Sequence, residues 1–192
     1  MTRSLTVLLL ALQIATVAAQ VHRRKEVQIA AGLTLGGFEW NEVDGEGRAT
    51  GSSSGPMMTL PLTAHYGLGN RIALGGYGEA GIMVQLLGDA NVLWNFGIEP
   101  KFFWLNRKRF GASVSFRYGA SRMNQYGRPY SGTNYAALLS AHWRFTERSG
   151  LQVQLRYLRC RMDGEGIGAA GITPRLFETG WGTAGVLYVR YL

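Results

Sequence analysis

Residues 58–84 read MTLPLTAHYGLGNRIALGGYGEAGIMV, and apolar side chains alternate with polar or small ones on both sides of a short polar segment. One face of the first run carries Met58, Leu60, Leu62, Ala64 and Tyr66, and one face of the second carries Ile72, Leu74, Ala80, Ile82 and Val84. A period of two residues is typical of a β-strand with one apolar face. Because only Leu68–Arg71 separates the two runs, the sequence predicts an antiparallel hairpin.

The same alternation continues through the rest of the chain after residue 25. It predicts six further strands. Five of them have apolar faces that alternate through 27–35, 92–104, 110–118, 135–145 and 151–157, and the last has its apolar face at Trp181, Leu187, Val189 and Tyr191. Tight turns are predicted at Leu68–Arg71, Asn106–Arg109 and Glu147–Gly150, and longer connections at Asn41–Pro56, Leu87–Asn91, Gln125–Thr133 and Asp163–Pro174. Short turns at one end and longer loops at the other are typical of outer-membrane barrels. The predicted fold is therefore all-β, an eight-stranded antiparallel up-and-down transmembrane β-barrel.

Composition limits the class of protein. The 192 residues are 46% hydrophobic and 17% charged, with 27 glycines but only 5 prolines, which favours bent β-structure over collagen or a linker. The single cysteine, Cys160, excludes an internal disulfide and a cysteine-rich zinc site. The formal net charge is +8, but the basic residues are scattered and no strip interleaves them with aromatics. We therefore expect no nucleic-acid binding.

Residues 1–19, MTRSLTVLLLALQIATVAA, form a segment distinct from the strands. Arg3 precedes a short apolar run, and the small residues Ala18 and Ala19 come before Gln20. This pattern is typical of a cleavable secretory signal peptide, and the apolar run is shorter than the roughly 20 residues that a membrane-spanning helix needs. The predicted organisation is a signal peptide at 1–19 and an outer-membrane β-barrel domain at 20–192.

The chemistry of the two strand faces separates a membrane barrel from a soluble one. A lipocalin-like barrel turns its apolar face inward, whereas a membrane barrel turns it toward lipid. Here the apolar face is nearly free of charge and has aromatic residues near the strand ends, as in the girdles at membrane interfaces. The predicted girdle residues are Tyr66, Trp94, Trp104, Phe110, Tyr118, Tyr135, Trp143, Phe145, Trp181 and Tyr191. The membrane barrel is the prediction, and the soluble barrel with exchanged faces is the alternative.

Charged residues on the other face are then predicted to lie in a narrow lumen. Charges buried there must be paired, so we expect a salt-bridge network near mid-height. Its predicted members are Glu79, Glu99, Lys101, Arg117 and Arg156. A basic lower lumen, nearer the short turns, is predicted from His65, His142, Arg144 and Arg190. A lumen filled in this way favours structural plugging over a ligand or ion pathway and over a general diffusion pore.

Residues 58–100 carry the only family-like motifs. They are Thr59-Leu60-Pro61-Leu62, Tyr66-Gly67-Leu68-Gly69, Ala73-Leu74-Gly75-Gly76-Tyr77-Gly78 and Phe96-Gly97-Ile98-Glu99-Pro100. Together they resemble the barrel domain of Bacteroidetes-type outer-membrane proteins, in which an "IPL…Y" strand, a short turn and a "GAGPYVG"-like strand form a hairpin. The resemblance implies an integral outer-membrane barrel similar to PorT-type proteins or to OmpA/OmpX-type small barrels, over about residues 26–192. It implies no reaction, because families on one fold carry out unrelated functions.

Few residues suggest chemistry. Ser140 and His142 lie two positions apart on one predicted strand, so their side chains share a face and form a candidate nucleophile and base. That face is inward, whereas a lipid-modifying enzyme needs a site that an acyl chain can enter. His22, in the segment VHRRK, is expected in a solvated tail. Cys160 is expected to be a small buried filler.

The remaining polar features point to surface roles. The clusters Asp44–Gly47 and Asp163–Gly166 are predicted turn formers, with a weak calcium site as the alternative. Arg159 and Arg161 are expected to contact anionic lipid head groups. We predict no cofactor and no metal, and we expect outer-membrane lipid, lipopolysaccharide and the barrel assembly machinery as partners in a Gram-negative cell envelope.

The predicted function is non-catalytic, either structural in the envelope or surface-binding. The alternatives are a lipid-modifying outer-membrane enzyme that uses Ser140 and His142, and a subunit of a secretion or transport assembly. The PorT-type resemblance implies the last of these.

Overall fold

The computed structural model describes residues 21–43, 48–84, 90–125, 128–168 and 171–192, so the predicted signal peptide lies outside the described residues. Eight antiparallel strands follow one another in chain order and close into a barrel through pairing of the first with the last, which confirms the predicted fold. Their bounds are β1 Val27–Val43, β2 Ala49–Gly67, β3 Ile72–Val84, β4 Ala90–Asn106, β5 Phe110–Gln125, β6 Arg128–Arg144, β7 Ser149–Gly168 and β8 Gly171–Tyr191. Within these ranges, no helix has the length and apolar character needed to cross a membrane.

The register of the strands fixes the geometry of the barrel. A path that starts at Thr63 on β2 and follows directly paired residues once around the barrel returns to β2 at Ser53, ten residues along the strand. Such a stagger requires the strands to tilt by roughly 35–45° from the barrel axis. In an eight-stranded barrel the resulting lumen is just wide enough for side chains to fill.

The three tight turns are confirmed at one end of the barrel, which we call the lower end. They join β2 to β3, β4 to β5 and β6 to β7 through residues 68–71, 107–109 and 145–148. The backbone amide of Leu68 donates to the carbonyl of Ile72, and that of Phe145 donates to the carbonyl of Ser149. Antiparallel neighbours joined this closely need no crossover connection.

The long connections predicted at the upper end are largely wrong. β1 extends to Val43 and β2 begins at Ala49, while β7 extends to Gly168 and β8 begins at Gly171. The sequence Asp163–Gly166 therefore lies in a strand rather than a turn, whereas Asp44–Gly47 lies outside the described residues. Polar and glycine-rich segments extend the barrel wall because the ladder bonds join main-chain groups and do not require apolar side chains.

The outer surface carries an apolar belt. On seven strands the outward residues are the predicted ones, whereas on β8 the alternate set of residues faces outward and completes the belt. Leu62, Ile98 and Leu155 are each 56% exposed, whereas the next residues along their strands, Thr63, Glu99 and Arg156, point inward and are buried. Two aromatic rings bound the belt: a lower ring of Tyr66, Trp104, Phe110, Trp143, Phe145 and Tyr188, and an upper ring of Trp94, Tyr118, Tyr135 and Tyr157. Apolar surface of this extent belongs against lipid rather than water, so the membrane barrel is favoured over the soluble alternative.

β8 presents the face opposite to the one predicted. Trp181, Leu187, Val189 and Tyr191 are buried in the lumen, whereas Tyr188 and Arg190 are exposed. Trp181 and Tyr191 are therefore not girdle residues. The prediction failed because both alternating sets of this strand contain apolar side chains, so the alternation does not show which set faces inward.

Arg190 is consequently not a residue of the lower lumen. Leu187, Val189 and Tyr191 occupy the inward positions because they pack against Val21 and Ala30 in an apolar cluster. Arg190 lies on the outer surface at the lower end of β8, where a long side chain can keep its charge in the head-group region while its stem covers apolar surface.

Candidate functional site

The lumen concentrates the buried polar side chains, so it is the candidate functional site. Its upper layer is apolar and consists of Phe38, Trp40, Met57, Met83, Leu93, Met123, Tyr130, Leu158, Cys160, Met162 and Trp181. The middle layer is ionic and consists of Glu79, Glu99, Lys101, Arg117 and Arg156. The lower layer is polar and consists of His65, Ser113, Ser140, His142, Arg144 and Gln152. The middle layer contains most of the predicted site residues.

Glu79 on β3 contacts two arginines from other strands. Arg156 Nη1 pairs with Glu79 Oε2, and Arg117 Nη1 lies 3.4 Å from the same oxygen. Asn95 Nδ2 donates to Glu79 Oε1 at 3.4 Å, and Arg156 Nε donates to the hydroxyl of Thr183 at 3.2 Å. The carboxylate thus joins β3, β4, β5 and β7 across the lumen.

Glu99 on β4 is the second centre of the layer. Arg117 Nε donates to Glu99 Oε2 at 2.7 Å, and the Ser115 hydroxyl donates to Oε1 at 2.8 Å. Lys101 Nζ and His65 Nε2 lie 3.7 Å and 3.4 Å from Oε1. The structure therefore brings together all five residues that the sequence places in the network, with Arg117 bridging the two carboxylates.

Burial determines what this network contributes. Glu79, Glu99, Arg117 and Arg156 are each at most 3% exposed, and the Arg117 guanidinium carbon lies 4.6 Å from the centre of the Tyr77 ring. A charge in such surroundings loses its hydration and depends on its partners, so removal of one partner from a buried pair typically costs 3–5 kcal/mol. The paired charges of this layer therefore link β3, β4, β5 and β7 across the lumen.

The lower layer does not form the Ser140–His142 pair on which the enzyme alternative depends. His142 Nε2 is instead 2.8 Å from the hydroxyl of Ser113, and Ser140 accepts a hydrogen bond from Gln152 Nε2 at 3.1 Å. The register places Gly111 opposite His142, so Ser113 is a diagonal neighbour whose hydroxyl reaches the ring. Nδ1 of His142 has no hydrogen-bond partner among the described residues, so no third group orients this imidazole as in a catalytic triad.

Residues 21–26, which we call the plug segment, fold into the lower mouth of the barrel. His22 stacks on Phe103 with 4.7 Å between ring centres, and its Nδ1 lies 2.8 Å from Gln28 Nε2. The His22 backbone amide donates to Asn106 Oδ1 at 3.0 Å, and burial lowers the pKa of His22. The predicted solvated tail is wrong for His22, and the sequence could not show this, because a contact such as that with Asn106, 84 positions away, leaves no periodic signal.

Arg144 anchors the plug segment from β6. Its Nη2 pairs with Glu26 Oε1 at 2.7 Å, and its Nη1 donates to the carbonyl of Val21 at 2.9 Å. Its guanidinium carbon lies 4.0 Å from the centre of the Tyr191 ring. The structure thus places His65, His142 and Arg144 in the lower lumen, and of the four predicted residues only Arg190 lies outside it.

Neither the upper layer nor the rest of the described chain offers a metal centre of the common ligand types. Cys160 is buried, and its sulfur lies 3.1 Å from the hydroxyl of Ser121. No group of three or more His, Cys, Asp or Glu residues that could hold a metal ion occurs within the described ranges. Cys160 is therefore a small buried residue packed in the upper layer, as expected from the sequence.

The closed barrel, the apolar belt and the filled lumen define the class: this chain has the fold of the small outer-membrane β-barrels. OprG from Pseudomonas aeruginosa is similar over 91% of this chain and 99% of its own, with 10% sequence identity and a TM-score of 0.62. Neisserial surface protein A, NspA, is similar over 83% and 95% of the two chains, with 12% identity and a TM-score of 0.53. The N-terminal β-barrel domain of P. aeruginosa OprF is similar over 89% and 100%, with 11% identity and a TM-score of 0.52. At these identities the likeness concerns the fold alone.

No protein-family model matches the chain, and no curated protein sequence matches it. The likeness to the three solved structures confirms the resemblance to small outer-membrane barrels at the level of the fold.

Proposed function

We propose that this chain is an integral outer-membrane β-barrel with a plugged lumen and a non-catalytic role, either structural in the envelope or surface-binding. The observation that carries the proposal is the filling of the lumen at three levels. The apolar upper layer, the ionic middle layer and the plug segment with Arg144 follow one another along the barrel axis. A barrel of eight strands has no room for a water-filled channel beside such side chains.

The proposed location follows from the belt and from the sequence. The exposed apolar band between two aromatic rings suits a bilayer, and the predicted signal peptide at 1–19 supplies export. The partners that we propose are outer-membrane lipid, lipopolysaccharide and the barrel assembly machinery. The finer resemblance of residues 58–100 to PorT-type proteins, with the role in a secretion or transport assembly that it implies, stays a prediction.

The lipid-modifying alternative needs a nucleophile, an oriented base and access for an acyl chain. Ser140 accepts a hydrogen bond from Gln152 and makes none to His142, and the Ser113–His142 pair lies inside the barrel with both residues buried. These contacts support the non-catalytic proposal. The alternative would predict a change in lipid A mass in expressing cells that disappears in Ser113→Ala or Ser140→Ala.

Two measurements on the detergent-folded chain without residues 1–19 test the proposal. A closed membrane barrel resists SDS until it is heated, so the unheated and boiled samples should migrate differently on a gel. In planar bilayers the folded protein should show no steady conductance. Identical gel bands would contradict the membrane barrel, and a steady conductance from the unmodified chain would contradict the plugged lumen.

A further inference from the structure

Three exposed arginines lie on the outer surface directly above the upper aromatic ring. Arg122 is on β5, and Arg159 and Arg161 are on β7. Arg122 pairs in register with Trp94, and Arg159 pairs with Tyr135, so the cationic level adjoins the ring on both sides. Only β6 separates the two strands, which places them roughly 10 Å apart. Through Ser131 on β6, Arg122 is in register with Asp163, so Arg161 and Arg159 lie two and four residues nearer the lower end of β7. The three guanidinium groups, which we call the arginine cluster, therefore suit a ligand that carries more than one phosphate.

None of the ion pairs between described residues involves these three arginines. Two outward carboxylates adjoin the cluster: Glu178 opposes Arg161 on β8, and Asp163 lies two residues above Arg161 on β7. The outward residues of β6 at this level, Ser131 and Thr133, are uncharged. On the line of register that leads from Arg159 to β1 and β2, the outward side chains are Glu39 and Ser54, neither of which carries a positive charge.

A groove in the apolar belt begins just below the arginine cluster. It has a volume of about 680 Å³, with a floor of small outward residues that includes Ala137, Gly182 and Ala184 and walls that include Leu139 and Leu155. A second groove of about 490 Å³ shares Gly182 and Tyr157 with the first, and its lining includes Arg159 as well as the carboxylates Glu39 and Glu178. The two grooves therefore form a continuous path from the middle of the belt to Arg159, the lowest residue of the cluster on β7.

We propose that the outer face of β5–β8 binds a lipid of the outer leaflet with a phosphorylated head group, with phosphate at the arginine cluster and an acyl chain in the groove. The inference rests on the proposed membrane location. Aromatic rings mark the level of the membrane interface, and arginine offers paired N–H donors that match phosphate oxygens. A second copy of this chain is the less suitable occupant, because a two-fold contact over this face would bring its own arginines against the cluster.

The first test measures binding of diphosphorylated lipid A to the detergent-folded chain by native mass spectrometry and by titration. The variant R122Q/R159Q/R161Q removes the cluster, and R107Q/K108Q/R109Q removes three charges from the β4–β5 turn at the lower end as the matched control. If each arginine contributes about fivefold, the cluster variant binds of the order of 100-fold more weakly, and the control binds as the unmodified chain does. Equal weakening in both variants would overturn the site in favour of general charge attraction.

The second test fills the groove. A137L/A184L places two larger outward side chains on its floor, and A31L/A64L makes the same change on β1 and β2. We expect at least tenfold weaker binding of lipid A in the first variant, no change in the second, and no displacement of lipid by millimolar inorganic phosphate. Unchanged binding in A137L/A184L, displacement by free phosphate, or a lipid-free dimer lost in that variant would each overturn the lipid site. The heat-dependent gel shift of every variant reports folding separately, so loss of the barrel is distinguished from loss of the site.

Discussion

The upper and middle layers of the lumen fill the same narrow cylinder with opposite chemistry. Leu158 and Met162 in the upper layer are fully buried by packing against other apolar side chains, whereas Glu79 and Arg117 in the middle layer are buried by pairing. A packed apolar side chain stabilises the fold through its own contacts, so its removal has a local cost. A buried charge is stabilised only by its partners, so its removal penalises residues on several strands. The two layers should therefore respond to substitution in different ways.

The largest expected effect is at Glu79. Glu79→Ala should lower the free energy of unfolding by about 4 kcal/mol, because Arg156 and Arg117 lose a carboxylate while both stay buried. Urea unfolding in lipid vesicles, followed by tryptophan fluorescence, measures the change. The double variant E79A/R156M should be more stable than Glu79→Ala alone, since it also removes the stranded charge. If the cost of the double variant is the sum of the two single costs, the middle layer is not coupled.

Met162 provides the matched test in the upper layer. Met162→Ala should cost about 3 kcal/mol through lost packing and the cavity that remains. Combined with Glu79→Ala on the other side of the lumen, the two costs should add to within about 0.5 kcal/mol, because the residues share no partner. The same urea titrations measure this sum. A large deviation from additivity would mean that the two layers unfold as one coupled unit and that their difference in chemistry has no energetic counterpart.

The middle layer was predictable from the sequence because two simple rules specify it. Alternation assigns Glu79, Glu99, Arg117 and Arg156 to the inward face, and counting from the tight turns gives them similar heights. Opposite charges at similar heights in a narrow lumen lie close enough to pair, and their burial requires it. The outward belt was predictable on seven strands for the same reason, since one face of each strand contains almost no charge.

Contacts that depend on exact register or on distant parts of the chain were not predictable. The partner of His142 is Ser113 rather than Ser140, because the β5–β6 register decides which hydroxyl is diagonal to the ring. The position of His22 depends on Asn106 and Phe103, which no local pattern connects to it. In β8 the alternation exists in both phases, so only the apolar contacts with Val21 reveal which set faces inward.

A smaller effect is expected from the pH dependence of the plug segment. Burial lowers the pKa of His22 below its unfolded value of about 6.5, so the unfolded chain binds more protons below that pH. The contribution is complete above the unfolded pKa and is lost as the pH falls toward the folded pKa. His22→Phe retains a ring to stack on Phe103 but removes the titrating group, so its stability should fall less than that of the unmodified chain between pH 8 and pH 5.5. Parallel pH dependences of the two proteins would contradict this assignment. His65 and His142 are present in both proteins, so their contributions cancel in the difference.

The smallest expected effect is at Arg190, which the sequence places in the basic lower lumen and the structure places on the outer surface. If it were a lumen charge, Arg190→Gln would behave like a middle-layer variant and cost several kcal/mol. At an exposed position the cost should stay within about 0.5 kcal/mol in the same urea titration. Cysteine substitution checks the register directly, because Arg190→Cys should react with a water-soluble maleimide in the folded barrel whereas Val189→Cys, which is buried, should not. Cys160, also buried, gives the background in the unmodified chain. Labelling of Val189→Cys but not Arg190→Cys would reverse the inside and outside of β8, and it would return Arg190 to the lumen.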